Sequence, residues 1–460
     1  MTDISMNVAT DISGGAELSR SLKSRHVSMI AIGGIIGAGL FVGSSTTISQ
    51  AGPAAVFSFA IAGFIILLVM RMLSEMAIAV DGVQTFPDFA RAGLGHLAGF
   101  LSGWLYWYFW VVVVAIQAIA GAQIIHGWFP AIPELGIGIG LMAILTAVNL
   151  MSARAYGEFE FWFSSIKVAA IIVFILLCAA WAFGFTSGNG ATFGNLTQHG
   201  GFVPNGWGVV LAAATSTIFS LVGAEIATIA AAESEEPAKV ISRMTVSVTL
   251  RILVFYILSI FLIVSVVPWT EIVPKVSPFA ATLGYMGIPA GKLIMEAVVL
   301  VAVLSCLKSG LYCTSPALFG LAKHKDAPQW LVQVNARKVP ARAILIASLF
   351  SYGALAADAL SRDVVFSFLL NSCGVTMLIL YLMTSAAQLK LRNKYEAEDP
   401  ARLQIKMWFH PFGTYIAMAA MLVILLAKGL DAAASKELWL SLVVAGGFAA
   451  AFFIFRRSAA

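Results

Sequence analysis

About twelve stretches of the chain stay apolar long enough to cross a hydrocarbon core, which takes roughly 20 residues of helix. They run over 27–49, 54–80, 98–126, 135–152, 158–184, 208–233, 244–267, 291–322, 342–360, 363–385, 411–428 and 437–455, with polar loops between them. The pattern predicts an all-α polytopic membrane protein. Two of the stretches are interrupted. The first reads Ile32-Gly33-Gly34-Ile35-Ile36-Gly37-Ala38-Gly39-Leu40-Phe41, with four glycines in an otherwise apolar run. Each glycine disfavours a helix interior by about 1 kcal/mol relative to alanine. In lipid, bare backbone is tolerated only where protein or a cavity covers it. Such a break is a candidate binding site, with main-chain N–H and C=O groups as ligands. The sixth stretch reads Phe219-Ser220-Leu221-Val222-Gly223-Ala224-Glu225-Ile226-Ala227, a mid-membrane glycine with a carboxylate just after it.

Stretches one and six hold equivalent places if the first ten form two five-helix halves, and paired interruptions point to an inverted-repeat transporter. The competing reading of a glycine cluster is close helix packing through small residues. The matching break in stretch six favours a site.

Composition narrows the class. The 460 residues are 60% hydrophobic and 11% charged, against roughly 25% charged in a soluble domain, so this much apolar surface has no place in a water-soluble core. The 28 Lys and Arg exceed the 23 Asp and Glu by five. The excess reads as topology rather than as affinity for nucleic acid. Arg20, Lys23 and Arg25 precede the first span. Arg154, Lys239, Arg243, the group Lys323 to Arg342, the group Lys390 to Lys406, and Arg456 and Arg457 then all fall on one side of a twelve-span arrangement. Opposite loops such as 127–134 and 185–207 carry almost none, which predicts cytoplasmic termini. Trp128, Trp207 and Trp269 fall near the far interface, where aromatic rings prefer to lie. Residues 1–20 are polar and lack a basic segment leading into a short apolar core, so a cytoplasmic tail rather than a signal peptide is expected. Cys178, Cys306, Cys313 and Cys373 sit in apolar stretches without metal-ligand spacing and read as small buried hydrophobes. Nothing looks like an ATP-binding loop, a zinc site or a nucleophile triad; no enzyme activity, metal or cofactor is expected.

The interruptions carry the candidate chemistry. A half-helix starting at the first break points its positive end, with the N–H groups of Gly37, Ala38 and Gly39, at the gap, which suits a carboxylate. Carbonyls of Ile35, Phe219 and Val222, with Gly223 opening the second break, suit an ammonium group. Together they fit an amino acid zwitterion, with Phe219 as a gate. The aromatic run Trp104 to Trp110 reads as mostly lipid-facing or packing, with one ring free to wall the substrate. Glu225 is ionisable at membrane depth, where such groups line polar paths or relay protons; the alternative is a carboxyl held by neighbouring backbone. Lys167 either snorkels to the interface or sits where a sodium ion would, bonded to carbonyls near Gly33 and a hydroxyl of the eighth span. Residue physics leaves both open. Lys308, beside Ser309, is too deep to snorkel and faces a cavity or pairs with Glu225 or Glu296.

Ser21-Leu22-Lys23-Ser24-Arg25-His26 leading into the break, Phe41-Val42-Gly43-Ser44, Ala51-Gly52-Pro53, Met70-Arg71-Met72-Leu73-Ser74-Glu75-Met76, Gly157-Glu158-Phe159-Glu160-Phe161-Trp162 with Lys167, and Ala327-Pro328 together resemble the amino acid–polyamine–organocation superfamily, specifically its bacterial amino acid transporter family. The run Gly223 to Ser234 looks most like the gamma-aminobutyrate permeases. The resemblance covers nearly the whole chain. It implies a leucine-transporter-like 5+5 inverted repeat with broken helices 1 and 6, and proton-coupled import of gamma-aminobutyrate or a related amino acid by alternating access at the inner membrane. It also implies that Lys167 replaces a sodium ion. The partners implied are an amino acid, protons and the lipid bilayer, with no nucleic acid and no required oligomer. The chain divides into a tail (1–20), a transport core (21–390), and helices 11–12 with the C-terminus (391–460). It departs from the family pattern where Lys308 stands for an Asn, Pro316 for an Arg and Gln84-Thr85 for a Gly-Ser pair. These departures keep two alternatives in view: a permease for an aromatic, basic or small neutral amino acid, and a nutrient sensor on a transporter scaffold.

Overall fold

The first two expected spans follow each other directly, in the contiguous helical run Gly39–Ala79. Gly52 (φ 62°) and Pro53 split it and turn the chain back. The structure, a computed structural model, describes residues 36–80, 83, 86–151, 156–186, 190–223, 225, 248–332, 341–431 and 435–458. A π-turn, Gly39–Gly43, runs into α1 (Ser44–Ala51). Then come α2 (Ala55–Ala79), the short α3 (Phe86–Leu94), α4 (His96–Trp128), α5 (Glu134–Met151), α6 (Tyr156–Ala182) and α7 (Gly206–Leu221). Another π segment, Ile252–Leu258, leads into α8 (Ser259–Val266), followed by the short α9 (Pro278–Tyr285), α10 (Gly291–Lys323), α11 (Ala341–Leu360), α12 (Arg362–Glu398), α13 (Phe412–Leu430) and α14 (Ser435–Ser458).

Apart from α3 and α9, these helices follow the twelve expected spans in order. The two short helices lie in stretches read as loops. Phe86, Pro87, Phe89 and Ala90 of α3 are buried while its other positions are more open, so its apolar side docks on the bundle. Ser277 caps α9, its Oγ accepting from Ala280 N–H at 3.4 Å, and Pro278 opens the first turn, a favoured place for proline. The tenth span outruns its expected end at 385, with α12 continuous to Glu398 and so past residue 390. Pro316 lies inside α10, which continues to Lys323.

Among the described elements α10 lies most extensively along α4, and α7 packs against α1, α2, α12 and α13. Lipid tails are as apolar as leucine, so packing and polar bonds, not expulsion of water, hold such helices together. Several buried polar bridges serve here. Ser58 Oγ donates to Val210 O at 2.7 Å, joining α2 to α7. Thr47 Oγ1 and Ser216 Oγ, 3.0 Å apart, join α1 to α7. Asn371 Oδ1 on α12 accepts from Thr215 of α7 at 3.1 Å and from Lys428 of α13 at 3.0 Å, and Lys428 lies 3.5 Å from Glu437 of α14. At the other end Asp326, just beyond α10, meets Arg91 of α3 and lies 2.7 Å from His96 of α4.

The aromatic run on α4 packs inward more than toward lipid. Tyr106, Trp107, Phe109 and Trp110 are buried. Trp104 stacks on Phe448 of α14, with ring centroids 5.7 Å apart.

Candidate functional site

The described chain is irregular at Ile36 and Gly37 and turns helical at Ala38. A helix start leaves its first N–H groups without intrahelical partners. That of Ala38 donates to Gln117 Oε1 on α4 at 3.0 Å. The same amide's Nε2 donates to Cys306 Sγ on α10 at 3.1 Å. Gly37 lies against this contact, for a Cβ there would stand 2.8 Å from Cys306 Cβ and 3.1 Å from Gln117 Nε2. Ile35, a candidate carbonyl donor of the first break, lies outside the described residues, as do Gly33, Gly34, Gln84, Thr85 and Ala224.

The second interruption begins where α7 ends. Val222 is extended (φ −64°, ψ 150°), and Gly223 has φ 113°, a region open to glycine and strained for other residues. The N–H of Gly223 donates to Glu225 Oε2 at 2.8 Å. Glu225 is wholly buried, and its Oε1 has no hydrogen-bond partner among the described residues. The Arg251 guanidinium acts on it by charge, and the Tyr381 hydroxyl lies beside it.

The helical ends beside Gly37 and Val222 touch. A Cβ on Gly39 would lie 2.7 Å from Ser220 Cα and 3.1 Å from Phe219 Cε1, so no residue larger than glycine lets the two backbones approach this closely. Phe219 and Val222 are buried beside them, and Phe219 reaches Phe109 of α4 at a centroid separation of 6.4 Å.

Lys167 is wholly buried on α6. Its Nζ donates to Ser305 Oγ of α10 at 2.9 Å, a bond between two spans inside the bundle. Lys308 and Ser309, one turn further along α10, are half-buried. Glu296, one of the two carboxylates expected near Lys308, accepts from Trp128 Nε1 at 2.8 Å and lies 3.9 Å from Lys292.

Gln117 is not among the residues the sequence marks as a candidate, and Cys306, expected only as a small buried hydrophobe, accepts a bond from it. The available signal was a lone amide in the apolar run Val111 to Ile119, since a polar side chain in that setting is retained for a reason. Its partner, 79 positions away, was not legible.

The family model described as Amino acid permease matches residues 26–457. The chain belongs to the amino acid permease family. It is 44% identical to a gamma-aminobutyric acid permease of Bacillus subtilis over 96% of this chain and 94% of the relative. It is 41% identical to a gamma-aminobutyric acid permease of Escherichia coli over 89% of this chain and 88% of the relative. Among solved structures, a mutant of the Eremococcus coleocola manganese transporter superposes with a TM-score of 0.58 at 14% identity, covering 93% of this chain and 92% of that one. That likeness concerns the fold alone. The expected class, a multi-pass helical membrane protein of the leucine-transporter type, agrees with these findings.

Proposed function

We propose that this permease is a secondary active transporter that imports gamma-aminobutyrate or a closely related amino acid across the inner membrane, coupled to protons, with both termini cytoplasmic. The observation that carries the reading is the close approach of Gly39, just after the helix start at Ala38, to Ser220 and Phe219, just before α7 gives way to the extended Val222 and Gly223. The substrate carboxylate takes the N–H groups of Gly37 to Gly39, where the helix start favours negative charge. The amine takes carbonyls of Ile35, Phe219 and Val222. Phe219 gates the site, and alternating access exposes it to each side in turn.

The coupling elements are Lys167 and Glu225. Lys167, held to Ser305, places a cation between α6 and α10. Losing or gaining its proton changes the charge at that contact by one unit. Glu225 offers a buried oxygen without a partner among the described residues, able to take a proton or face the substrate amine. Lys308 and Ser309 lie on the same α10, one turn from Ser305. The choice of gamma-aminobutyrate as first substrate is supported by the names of the Bacillus and Escherichia relatives.

Uptake of labelled gamma-aminobutyrate and a panel of other amino acids into proteoliposomes, with and without an inward proton gradient, tests this reading. Uptake that rises with the gradient is expected. Absence of uptake for every amino acid under the gradient overturns transport, and binding without counterflow assigns the chain to sensing instead.

A further inference from the structure

We propose that Gln117 is a displaceable occupant of the carboxylate position, holding the Ala38 N–H in the empty carrier and giving it up when a substrate carboxylate arrives. The inference rests on the transport reading above and adds to it the residue that substrate must displace.

Gln117 is 1% exposed and lies in the C-terminal half of α4. Its Oε1 accepts the 3.0 Å bond from Ala38 N–H, one of the three N–H groups assigned to the substrate. The amide and the carboxylate therefore compete for one donor. A neutral amide oxygen is the weaker acceptor, because hydrogen bonds to an ionised carboxylate are roughly twice as strong. The positive end of the helix adds to the carboxylate's advantage and gives little to an uncharged group. The other end of Gln117 is loosely held as well: Nε2 donates to Cys306 Sγ, and a thiol sulfur is a weak acceptor. Gly37, without a Cβ, leaves the amide its place between Ala38 and Cys306.

This arrangement gives the empty carrier a satisfied backbone donor at a buried helix start, where a bare N–H is costly. It also makes displacement depend on a negative charge. A ligand with the amine but no carboxylate has nothing with which to displace the amide. Gln117 thus contributes to selection for acids without contributing a lasting contact to them.

The test uses the full-length protein in nanodiscs, with labelled gamma-aminobutyrate and with 1-aminobutane, which keeps the amine and lacks the carboxylate. Gln117→Leu removes the competitor at similar volume. It is expected to tighten gamma-aminobutyrate binding about three- to ten-fold, the scale of one neutral hydrogen bond, with 1-aminobutane binding unchanged. The melting temperature of the empty protein is expected to fall while the rise on adding gamma-aminobutyrate grows. Gln117→Glu keeps shape and acceptor but adds a resident charge. It is expected to weaken gamma-aminobutyrate binding at least about ten-fold by like-charge competition, and it reports even where the leucine variant fails to fold. Weaker or unchanged gamma-aminobutyrate binding in Gln117→Leu, or equal changes for both ligands, overturns the proposal and marks Gln117 as a fixed positioning group. That outcome leaves the transport reading intact provided the wild-type carrier still takes up gamma-aminobutyrate. A wild-type protein that neither binds nor moves any amino acid overturns both.

Discussion

Glu75 and Glu225 are both buried carboxylates in the membrane-spanning bundle, yet their surroundings are opposite. Glu75, near the end of α2, accepts from Arg392 Nη1 at 2.7 Å, from Gln388 Nε2 at 2.8 Å and from Met407 N–H at 2.5 Å. Arg392 in turn holds Glu396 at 2.7 Å, and Gln388 Oε1 accepts from Thr414 of α13 at 2.9 Å. Both oxygens of Glu75 are engaged, and the bonds tie α2 to α12 and to Met407 ahead of α13. Glu225 uses one oxygen on Gly223, while the other lacks a partner among the described residues. Burial is the same and satisfaction is not. A filled carboxylate acts as a clasp, because removing a partner exposes a buried charge. A half-filled one is available to a proton or a substrate amine, at a standing cost in stability.

The contrast can be broken from either side. Arg392→Met is expected to have the largest effect on stability, about 3–5 kcal/mol, since it strips a buried carboxylate of its charged partner. Thermal unfolding in detergent measures this, and uptake per folded molecule is expected to hold. Lys167→Ala comes next. Loss of a charge-assisted bond to Ser305 is expected to cost about 1.5–3 kcal/mol, and proton-driven uptake is expected to fall more than equilibrium binding. Equal loss of both argues against a coupling role. Gly39→Ala drives a methyl group into the Ser220 backbone, an overpacking of about 1–3 kcal/mol. A folded protein, judged by gel filtration, with abolished uptake is the expected result, and normal uptake removes the need for the two breaks to meet. Glu225→Gln is expected to disturb the fold least, within about 1 kcal/mol, because a side-chain oxygen remains for the Gly223 N–H. Its uptake is nevertheless expected to lose pH dependence. If it destabilises as much as Arg392→Met, the two carboxylates are alike and the comparison fails.

Much of the fold was legible because the signals are local. Hydropathy sums over a window of consecutive residues, so α4, α10 and α13 emerged close to their limits. The irregular backbone at Gly37 and at Val222–Gly223 falls within the two glycine-interrupted stretches, since glycine amid lipid-grade residues is costly wherever the helix packs. The amphipathic α3 is not legible in the sequence because nine residues are too few for a span and its docking surface belongs to other helices. The aromatic run on α4 left lipid-facing and packed positions open for a related reason: nothing in Trp104 to Trp110 says which side faces lipid until α14 and α11 stand beside it.

The sequence by itself determined a membrane bundle of twelve spans, the two glycine breaks and the ionisable residues among them, because hydropathy and backbone propensity act over a few neighbouring residues. Only the tertiary structure decided which of those polar groups are spent and which are kept open. Gln117 meets Ala38 across 79 positions and Arg392 meets Glu75 across 317. Such pairings follow from how helices cross, and a hydrogen bond is decided by tenths of an ångström in three dimensions rather than by order along the chain.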